Sequence, residues 1–442
     1  MLERFSWAGE LIWQVDIGND LGIRNHHDIE PLPNGNILVI AGEYFSIIEA
    51  IENGRNPETL ENKVSVDYVV ELKPIGTNEA KIVWEWHFWD HLIQDFDEEK
   101  LNYGAVAKHK ELLNINLGNS MNDWLHLNSI DYNAAFDQIL VSSSYTNELY
   151  IIDHSTTAEE AALNTGGQYA KGGDFLWRWG NPQNYNSGVE SDRKLFGQHD
   201  AKWILPGYPN EGGISVFNNN FSNQASAVHL ISAPALANGS YTLTENKFTP
   251  NDFYWTFNDE ILGNTFFNTI KSGMQVQANG NILVSLGSGL FFEVTIEKQL
   301  VWAYRNPVVN DETILTQFSN DNKTEIFRAE RYPINYKAFN NKNLSPKGII
   351  ENENTTTDNC RLVSAVIETE SNNKSVVTFN AATNTLLVVT HQNNTSIKIV
   401  DVFGRLQFFS NSKKIDVSHL PKGLYYAIMQ QPYFSNFSFI KM

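Results

Sequence analysis

The chain has 442 residues, 42% of them hydrophobic and 12% aromatic, and it carries a formal net charge of −19. This length and composition indicate a globular protein of one large domain or two to three ordinary domains. The acidic charge argues against nucleic acid as a partner, because a phosphate backbone needs a basic surface, and it leaves no polybasic patch for anionic lipids.

The single cysteine, Cys360, excludes an internal disulfide, so the fold depends on packing. No run approaches the ~20 apolar residues that a membrane-spanning helix needs, and no transmembrane segment is therefore predicted. The first residues, MLERFSWAGELIWQ, lack the basic and then apolar pattern of a signal peptide.

Short β-rich runs separated by Asn, Gly, Asp and Pro dominate the chain and predict an all-β protein. The stretch HHDIEPLPNGNILVI at 26–40 places two histidines and an aspartate just before a tight turn and an apolar strand. NGNIL recurs at 279–283, and histidines open comparable segments at His126 and His199. One helix is predicted over 95–113, where apolar residues have roughly helical spacing.

Apolar runs that end in tryptophan recur along the chain, as LIW, IVWEW, FLWRW, FYW and LVW. An opening segment and two further strands lie between successive runs, the two strands being for example ILVSSS at 139–144 and NELYIID at 147–153. Each unit thus contains four strands, which is typical of a β-propeller blade. A β-sandwich is the weaker alternative, since it would not repeat a four-stranded unit.

About four blades are visible, and the segment 324–339 is predicted to add one strand that closes the ring with the N-terminal segment. Trp13 ends a strand that has no blade-mates upstream. We therefore expect residues 1–340 to form a propeller that begins inside a blade, with one blade and a signal peptide missing before Met1.

The composition changes after residue 340. Residues 341–373 are polar and Asn-rich, which is typical of a linker. Short strands with regular turns resume over 374–442 and predict a small Ig-like β-sandwich.

The C-terminal segment resembles the sorting domain of the type IX secretion system. The resemblance lies in SIKIVDVFGRLQ at 396–407, IDVSHLPKGLYYAIM at 415–429 and the terminal FIKM. It implies recognition by that secretion machinery and export across the outer membrane, so that the protein is secreted or held at the cell surface.

Residues 1–352 resemble the bacterial arylsulfate sulfotransferases, a family of propellers with about six blades. The resemblance lies in HHDIEPLPNGNIL, NDWLHLNSIDYNAAFDQILVSSSYTNELYIID, FLWRWGNP, GQHDAKWI and FRAERYPINY. It implies transfer of a sulfuryl group from a small aromatic sulfate to a phenol without a nucleotide donor or other cofactor. A neutral histidine carries the group between the two substrates, which is covalent nucleophilic catalysis.

Three histidines are the candidate catalytic residues. His126 and His199 match family active-site histidines, and His27 opens the NGNIL segment and is expected to line the same channel. For His126 the competing interpretation is a structural role, in which the ring fixes the end of a strand by hydrogen bonding. His26 is expected to point away from His27 if that segment is extended.

The sequence also departs from the family. Aligning the two NGNIL segments places Ser272 opposite His27, although the characterised relatives carry their nucleophile in a late blade. The arginine expected after GQHDA is absent as well. The candidate substrate-binding residues are therefore Arg178, Arg328, Arg331 and Asn218, with ring-closure packing as the alternative for Arg328 and Arg331.

Other patterns are interpreted structurally. The regular tryptophans are expected to fill the space between blades. His87 and His91 have i, i+4 spacing, but their aromatic and acidic neighbours do not compose a zinc site, and no metal is predicted. Two functions stay open: a sulfotransferase-like enzyme, favoured by the three histidines, and a secreted propeller that binds a ligand or protein without catalysis, favoured by Ser272.

Overall fold

The computed structural model divides the chain into two compact units, Met1–Asn354 and Thr355–Met442. The residues it describes are 1–60, 63–118, 120–261, 264–308, 325–345, 348, 350, 376–380, 383–389, 396–401, 406–430 and 435–441. Most of the predicted linker 341–373 lies outside these residues.

The first unit begins with an antiparallel hairpin, β1 (Leu2–Phe5) and β2 (Leu11–Val15), followed by helix α1 (Ile17–Leu21). Trp13 is buried, and its indole N–H donates to the Glu79 carbonyl at 3.0 Å. The hairpin thereby packs against the first of four sheets.

Within the described residues of the first unit, four antiparallel four-stranded sheets follow one another along the chain, and we call them blades 1 to 4. Blade 1 contains β3 (Arg24–Pro31), β4 (Ile37–Phe45), β5 (Val64–Ile75) and β6 (Glu79–His87), with helix α2 (Ile47–Glu52) after β4. A parallel pair, β7 (Leu92–Ile93) and β8 (Leu113–Asn114), leads to the next blade. Blade 2 contains β9 (Leu127–Asn133), β10 (Gln138–Ser143), β11 (Glu148–Asp153) and β12 (Trp177–Trp179), with helix α3 (Ala158–Ala161) after β11.

Blade 3 contains β13 (His199–Trp203), β14 (Ile214–Ser222) and β15 (Ala225–Ile231), then a small hairpin of β16 (Leu243–Thr244) and β17 (Lys247–Phe248), and its last strand β18 (Trp255–Phe257). Blade 4 contains β19 (Gly273–Val276), β20 (Ile282–Ser285), β21 (Leu290–Val294) and β22 (Leu300–Arg305). Short 3-10 turns lie at Pro57–Thr59, Phe88–Asp90, Val106–Lys108, Pro182–Tyr185, Glu190–Asp192 and Lys337–Phe339.

The first strands of successive blades lie side by side and are joined by hydrogen bonds. Asp28 of blade 1 accepts from the Ile130 N–H of blade 2 at 3.1 Å. Asp200 of blade 3 accepts from the Met274 N–H of blade 4 at 3.1 Å, and a third bond joins blades 2 and 3. This arrangement is that of a β-propeller, as the sequence predicts.

Alternation along each strand buries both faces of a sheet. In β10, Ile139 and Val141 pack in the core shared with blade 1, whereas Leu140 packs in the core shared with blade 3. Trp86 is fully buried, and its indole donates to the Gly173 carbonyl at 2.7 Å. Trp86 thus fills the space between sheets, whereas Trp302, which ends the last of these runs, is 40% exposed.

Two elements differ from the sequence prediction. Residues 95–113 form turns rather than a helix, because the Gln94 side chain accepts hydrogen bonds from the N–H groups of Phe96 and Asp97 and so holds a turn. The described part of 324–339 contains no strand, although it does meet the N-terminal hairpin, where Trp7 makes edge contacts with Tyr332 and Phe339.

The second unit consists of two small antiparallel sheets. One contains β23 (Val376–Asn380), β24 (Thr385–Val389) and β27 (Lys414–Asp416), and the other contains β25 (Ser396–Asp401), β26 (Leu406–Ser410), β28 (Gly423–Gln430) and β29 (Ser435–Lys441). Leu386 and Val388 of the first sheet share one core with Ile397 and Ile399 of the second. The unit is therefore an Ig-like β-sandwich.

Candidate functional site

The first strand of each blade has, at or near its start, a residue with an unusual backbone conformation. His27, His126, Asp200 and Ser272 all have a positive φ, between 52° and 77°. This region is uncommon for residues other than glycine and recurs at functional sites. In blade 1 the pairing register with β4 also shifts between Asn25 and Ile29, which marks a bulge.

The bulge turns His26 and His27 toward each other. Their Nδ1 atoms are 2.8 Å apart, so the expectation that His26 points away is wrong, because the strand is not extended at His27. On its other side, His26 places Nε2 3.0 Å from Oδ1 of Asp67 in β5. The second oxygen of Asp67 accepts from the Leu127 N–H of blade 2 at 2.7 Å.

The ring of His126 lies against that of His27, with centroids 4.6 Å apart in an edge-to-face arrangement. Its Nδ1 is 2.7 Å from Oδ2 of Asp123, and its other face stacks on Tyr145. Phe327 lies 6.2 Å from His27, measured between ring centroids. Aromatic rings thus border the two histidines.

His199 completes the group from blade 3. Its Nδ1 is 2.9 Å from Oδ1 of Asn219 and 3.1 Å from the Gly197 carbonyl. The Asn219 amide nitrogen donates to the carbonyls of Asn268 and Lys271, so its oxygen is the atom that faces His199. We call His26, His27, His126 and His199 the histidine cluster.

The three predicted catalytic histidines share one orientation. His27, His126 and His199 each turn Nδ1 toward a partner in the protein, and within the described residues no hydrogen bond occupies Nε2 of any of them. Because a partner on one ring nitrogen decides which nitrogen carries the proton, these contacts set the tautomers. The cluster therefore presents three Nε2 atoms for chemistry.

The environments separate the pKa values of these histidines. His27 is partly open to solvent, but the protein atoms around it disfavour charge and lower its pKa to about 4, and the nearby His126 and His26 add to this effect. Burial likewise lowers the pKa of His199. The hydrogen bond that His126 donates to the Asp123 carboxylate instead raises the pKa of His126.

A second group of charges, the ion network, lies next to the histidine cluster in the sequence and in space. It comprises the carboxylates and cations around the first strands of blades 1 to 3, namely Asp28, Glu30, Asp131, Asp200, Lys202, Arg328 and Glu330. Arg328 Nη1 is 2.8 Å from Asp28 Oδ2 and 3.1 Å from Asp200 Oδ1. Arg328, predicted to bind substrate, is thus committed to two buried aspartates.

The other predicted substrate-binding residues also have partners within the fold. Arg178 is fully buried in β12 and pairs with Glu148, and Arg331 pairs with Glu293 of blade 4. Asn218 is fully buried, accepting from the Phe196 N–H and donating to the Lys194 carbonyl. In this arrangement none of these three side chains joins the histidine cluster.

Sequence reasoning did not single out Asp67, Asp123 and Asn219, which orient the histidines. Asp123 was visible as the acidic residue three positions before His126, a spacing that fits a local contact. Asp67 is separated from His26 by 41 residues and Asn219 from His199 by 20. Only the pairing of strands within blades brings these partners together.

The described residues contain no group of His, Cys, Asp and Glu side chains suited to hold a metal ion. They also include no helix long and apolar enough to cross a bilayer.

Comparison with solved structures finds distant likenesses. The Dos1 propeller is 10% identical with a TM-score of 0.30, covering 70% of this chain and 54% of that one. PorZ of Porphyromonas gingivalis, a surface component of the type IX secretion system, is 13% identical with a TM-score of 0.26, covering 95% and 59%. The periplasmic gluconolactonase PpgL of Pseudomonas aeruginosa is 10% identical with a TM-score of 0.31, covering 100% and 94%. The chain thus spans between half and three fifths of the length of the first two structures.

Among functionally curated proteins, none matches the chain significantly. Residues 380–433 match the secretion system C-terminal sorting domain, which implies secretion through the type IX machinery and association with the cell surface or outer membrane. Residues 2–337, which include all four blades and the histidine cluster, match the arylsulfotransferase (ASST) family. The chain belongs to the arylsulfotransferase family.

Proposed function

We propose that the protein transfers a sulfuryl group from a phenolic sulfate ester to a phenol through a sulfuryl-histidine intermediate, without a nucleotide donor. The observation that carries the proposal is the common orientation of His27, His126 and His199. Each holds its Nδ1 on an acceptor within the protein and leaves Nε2 open. Three ring nitrogens that lie in one cluster and have no hydrogen-bond partner among the described residues fit a reaction that needs both a nucleophile and a proton donor.

The separated pKa values assign these two roles to different rings. A neutral imidazole can attack sulfur, and the lowered pKa of His27 and of His199 keeps both of them neutral at physiological pH. A leaving phenoxide needs a proton, and the raised pKa of His126 lets it hold one near neutrality. Environments that push neighbouring titratable groups apart are the usual sign of such acid and base roles.

The surroundings of the cluster suit an aryl sulfate. Tyr145 is exposed and stacks on His126, and Phe327 stands near His27, so aromatic rings are available to contact a phenyl group. The Lys271 ammonium pairs with Glu325 at 2.8 Å, and the Lys271 carbonyl accepts from the Asn219 side chain of blade 3 at 3.0 Å. We assign the sulfate oxygens to His126, since charge on those oxygens needs a cationic donor.

One observation favours a second candidate, a secreted propeller that binds aryl sulfates or another ligand without catalysis. Ser272 stands in blade 4 where alignment with His27 calls for a histidine, and its hydroxyl is already bonded to the Gly287 N–H at 2.9 Å. A protein that has lost its nucleophile in this way would keep the cluster as a binding site only.

Transfer from p-nitrophenyl sulfate to added phenol separates the two candidates. The full chain is expected to release p-nitrophenol and form phenyl sulfate in equal amounts. His126→Ala and His199→Ala should each lose about 10²–10⁴-fold in rate, which is the usual contribution of a positioned acid or base. His109→Ala, a matched control whose half-exposed ring pairs with Glu111 outside the cluster, should retain the parent rate. Folded protein that releases no p-nitrophenol would exclude catalysis and leave the binding protein.

A further inference from the structure

Only some histidines of the cluster are candidates for the nucleophile. Blade 4 has Ser272 where a histidine would stand and so offers none, and His126 is better suited to hold a proton. Two neutral rings then remain, His27 and His199. His199 is only 5% exposed, whereas His27 is exposed, so a sulfate ester reaches Nε2 of His27 more readily.

His27 also stands at the end of a chain of hydrogen-bonded side chains, which His199 lacks. Asp67, His26 and His27 form a chain of hydrogen bonds, with steps of 3.0 Å and 2.8 Å. Asp67 can only accept when ionised, so Nε2 of His26 carries a proton and donates it. Neutral His26 then offers the lone pair of Nδ1, and His27 must donate from its own Nδ1. This leaves the lone pair of His27 on Nε2, the nitrogen that faces away from the chain.

We propose, on the basis of the sulfuryl-transfer function proposed above, that Nε2 of His27 is the nucleophile and that Asp67 and His26 are positioning residues that fix its tautomer. The bulge in β3 would then serve the reaction, because it is what brings His26 and His27 ring to ring.

The step balances within the named groups. Nε2 of His27 attacks sulfur, the N–S bond forms and the S–O(aryl) bond breaks, and the aryl oxygen leaves with the electron pair and takes the proton of His126. The positive charge that develops on the His27 ring is shared through its Nδ1 proton with His26 and offset by Asp67. In the second step an acceptor phenol returns a proton to His126 and attacks sulfur, and the N–S electron pair returns to Nε2.

Asp67 is well placed for this electrostatic role. Its side chain is 5% exposed, and its second oxygen is held by the Leu127 N–H, so the carboxylate cannot rotate away from His26 without losing an interblade bond. A buried charge acts more strongly on its neighbours than a solvated one. The competing interpretation is that Asp67 and His26 simply tie blade 1 to blade 2.

The first measurement does not depend on catalysis. Diethyl pyrocarbonate modifies unprotonated imidazole nitrogens, and peptide mass mapping reports the rate at each histidine. At pH 6, His27 should react faster than His109 in the parent protein. The reaction of His27 should slow about 10–100-fold in Asp67→Asn and in His26→Phe, which is the usual effect of losing a partner behind a functional histidine.

His26→Asn provides the conservative rescue, since its amide oxygen can accept from Nδ1 of His27 and restore part of the rate. The matched control is His87→Gln, which breaks a comparable pair with Glu43 at 2.9 Å in the same blade but outside the cluster. It should leave the reactivity of His27 unchanged. Equal reactivity of His27 in the parent, Asp67→Asn and His26→Phe would overturn the positioning role.

The second measurement traps the intermediate. Protein mixed with p-nitrophenyl sulfate without acceptor is quenched and digested, and the sulfuryl group should map to His27. Asp67→Asn should slow its formation up to about 10⁴-fold with little change in KM, as expected when a histidine loses the carboxylate that sets its tautomer. A sulfuryl group on His126 or His199 would overturn the assignment of His27 while leaving the sulfuryl-transfer function intact. Absence of any transfer would instead remove the proposed function, and with it the nucleophile.

Discussion

The histidine cluster and the ion network use the same dipeptide for opposite purposes. His27–Asp28 and His199–Asp200 each place a histidine in the cluster and an aspartate in the network. The histidines keep one ring nitrogen open, whereas the aspartates are saturated: Asp28 accepts from Arg328 and from the Ile130 N–H. Two adjacent residues of one strand thus divide into a histidine that we propose acts on substrate and an aspartate that holds the blades together.

This contrast explains where the arginines lie. Arg328 pairs with both Asp28 and Asp200, and without it Lys202 would be the remaining cation beside these two buried carboxylates. The family resemblance led to the expectation of arginines that grip sulfate. In this fold Arg328 holds the first strands of blades 1 and 3 instead.

The largest expected effect that distinguishes the ion network from the histidine cluster is on the free energy of unfolding. Arg328→Met removes the shared counter-charge of two buried aspartates and should lower the free energy of unfolding by about 3–5 kcal/mol, measured by urea denaturation. Arg331→Met is the matched control, because its pair with Glu293 involves a side chain that is 40% exposed. The control should cost no more than about 1 kcal/mol. Equal losses of unfolding free energy in the two variants would show that the ion network stabilises the fold no more than a partly exposed ion pair does.

The sequence predicts the blades well for a physical reason. Strand alternation, turns and tryptophan-ended runs are local patterns, and the structure places all four blades where those patterns lie. ILVSSS at 139–144 corresponds to β10 (Gln138–Ser143), and NELYIID at 147–153 corresponds to β11 (Glu148–Asp153). The buried faces of each sheet follow directly from this alternation.

The site is harder to predict because its partners are remote in sequence. His27, His126 and His199 come from three blades, and the chain shows only that each opens a segment. The bulge at His27 leaves no local signal, so the expectation of an extended strand turned His26 the wrong way. The contact between Asp67 and His26 depends on register across β3, β4 and β5, which a single sequence does not specify.

The next prediction concerns the pH dependence of activity, which should be set by the histidine cluster and not by the ion network. Asp123 raises the pKa of His126 through a hydrogen bond at 2.7 Å, so His126 keeps its proton to higher pH. Asp123→Asn should lower that pKa, and the fall of kcat at alkaline pH should begin at lower pH. A shift of about one pH unit corresponds to a tenfold loss of rate above the new pKa.

Stability should be nearly unchanged in this variant, because Asp123 is half exposed. The measurement is kcat against pH for the parent and the variant, with urea denaturation alongside. An alkaline limb that stays in place would show that His126 is not the proton donor. A large loss of stability would show that the cluster, like the network, supports the fold.

The smallest effect concerns Glu30, whose pKa is raised to about 8. Burial is the main cause, the nearby carboxylates of Asp131 and Asp28 raise the pKa further, and Lys202 acts in the opposite direction. A carboxyl group whose pKa is higher in the folded state than in the unfolded state destabilises the fold at high pH. That cost is absent below the unfolded pKa near 4.5 and is complete above about pH 8. The parent protein should therefore lose stability as the pH rises from 6 to 9.

Glu30→Gln removes the titrating group while keeping its size, and it should stabilise the protein at pH 9 and have little effect at pH 5. Because Glu30 belongs to the ion network, the rate of sulfuryl transfer per folded molecule should follow the parent at both pH values. Denaturation midpoints at pH 5, 7 and 9 check the first expectation, and initial rates check the second. If Glu30→Gln altered the alkaline limb of kcat, the two groups of charges would be coupled, and the division of each His–Asp dipeptide between catalysis and structure would fail.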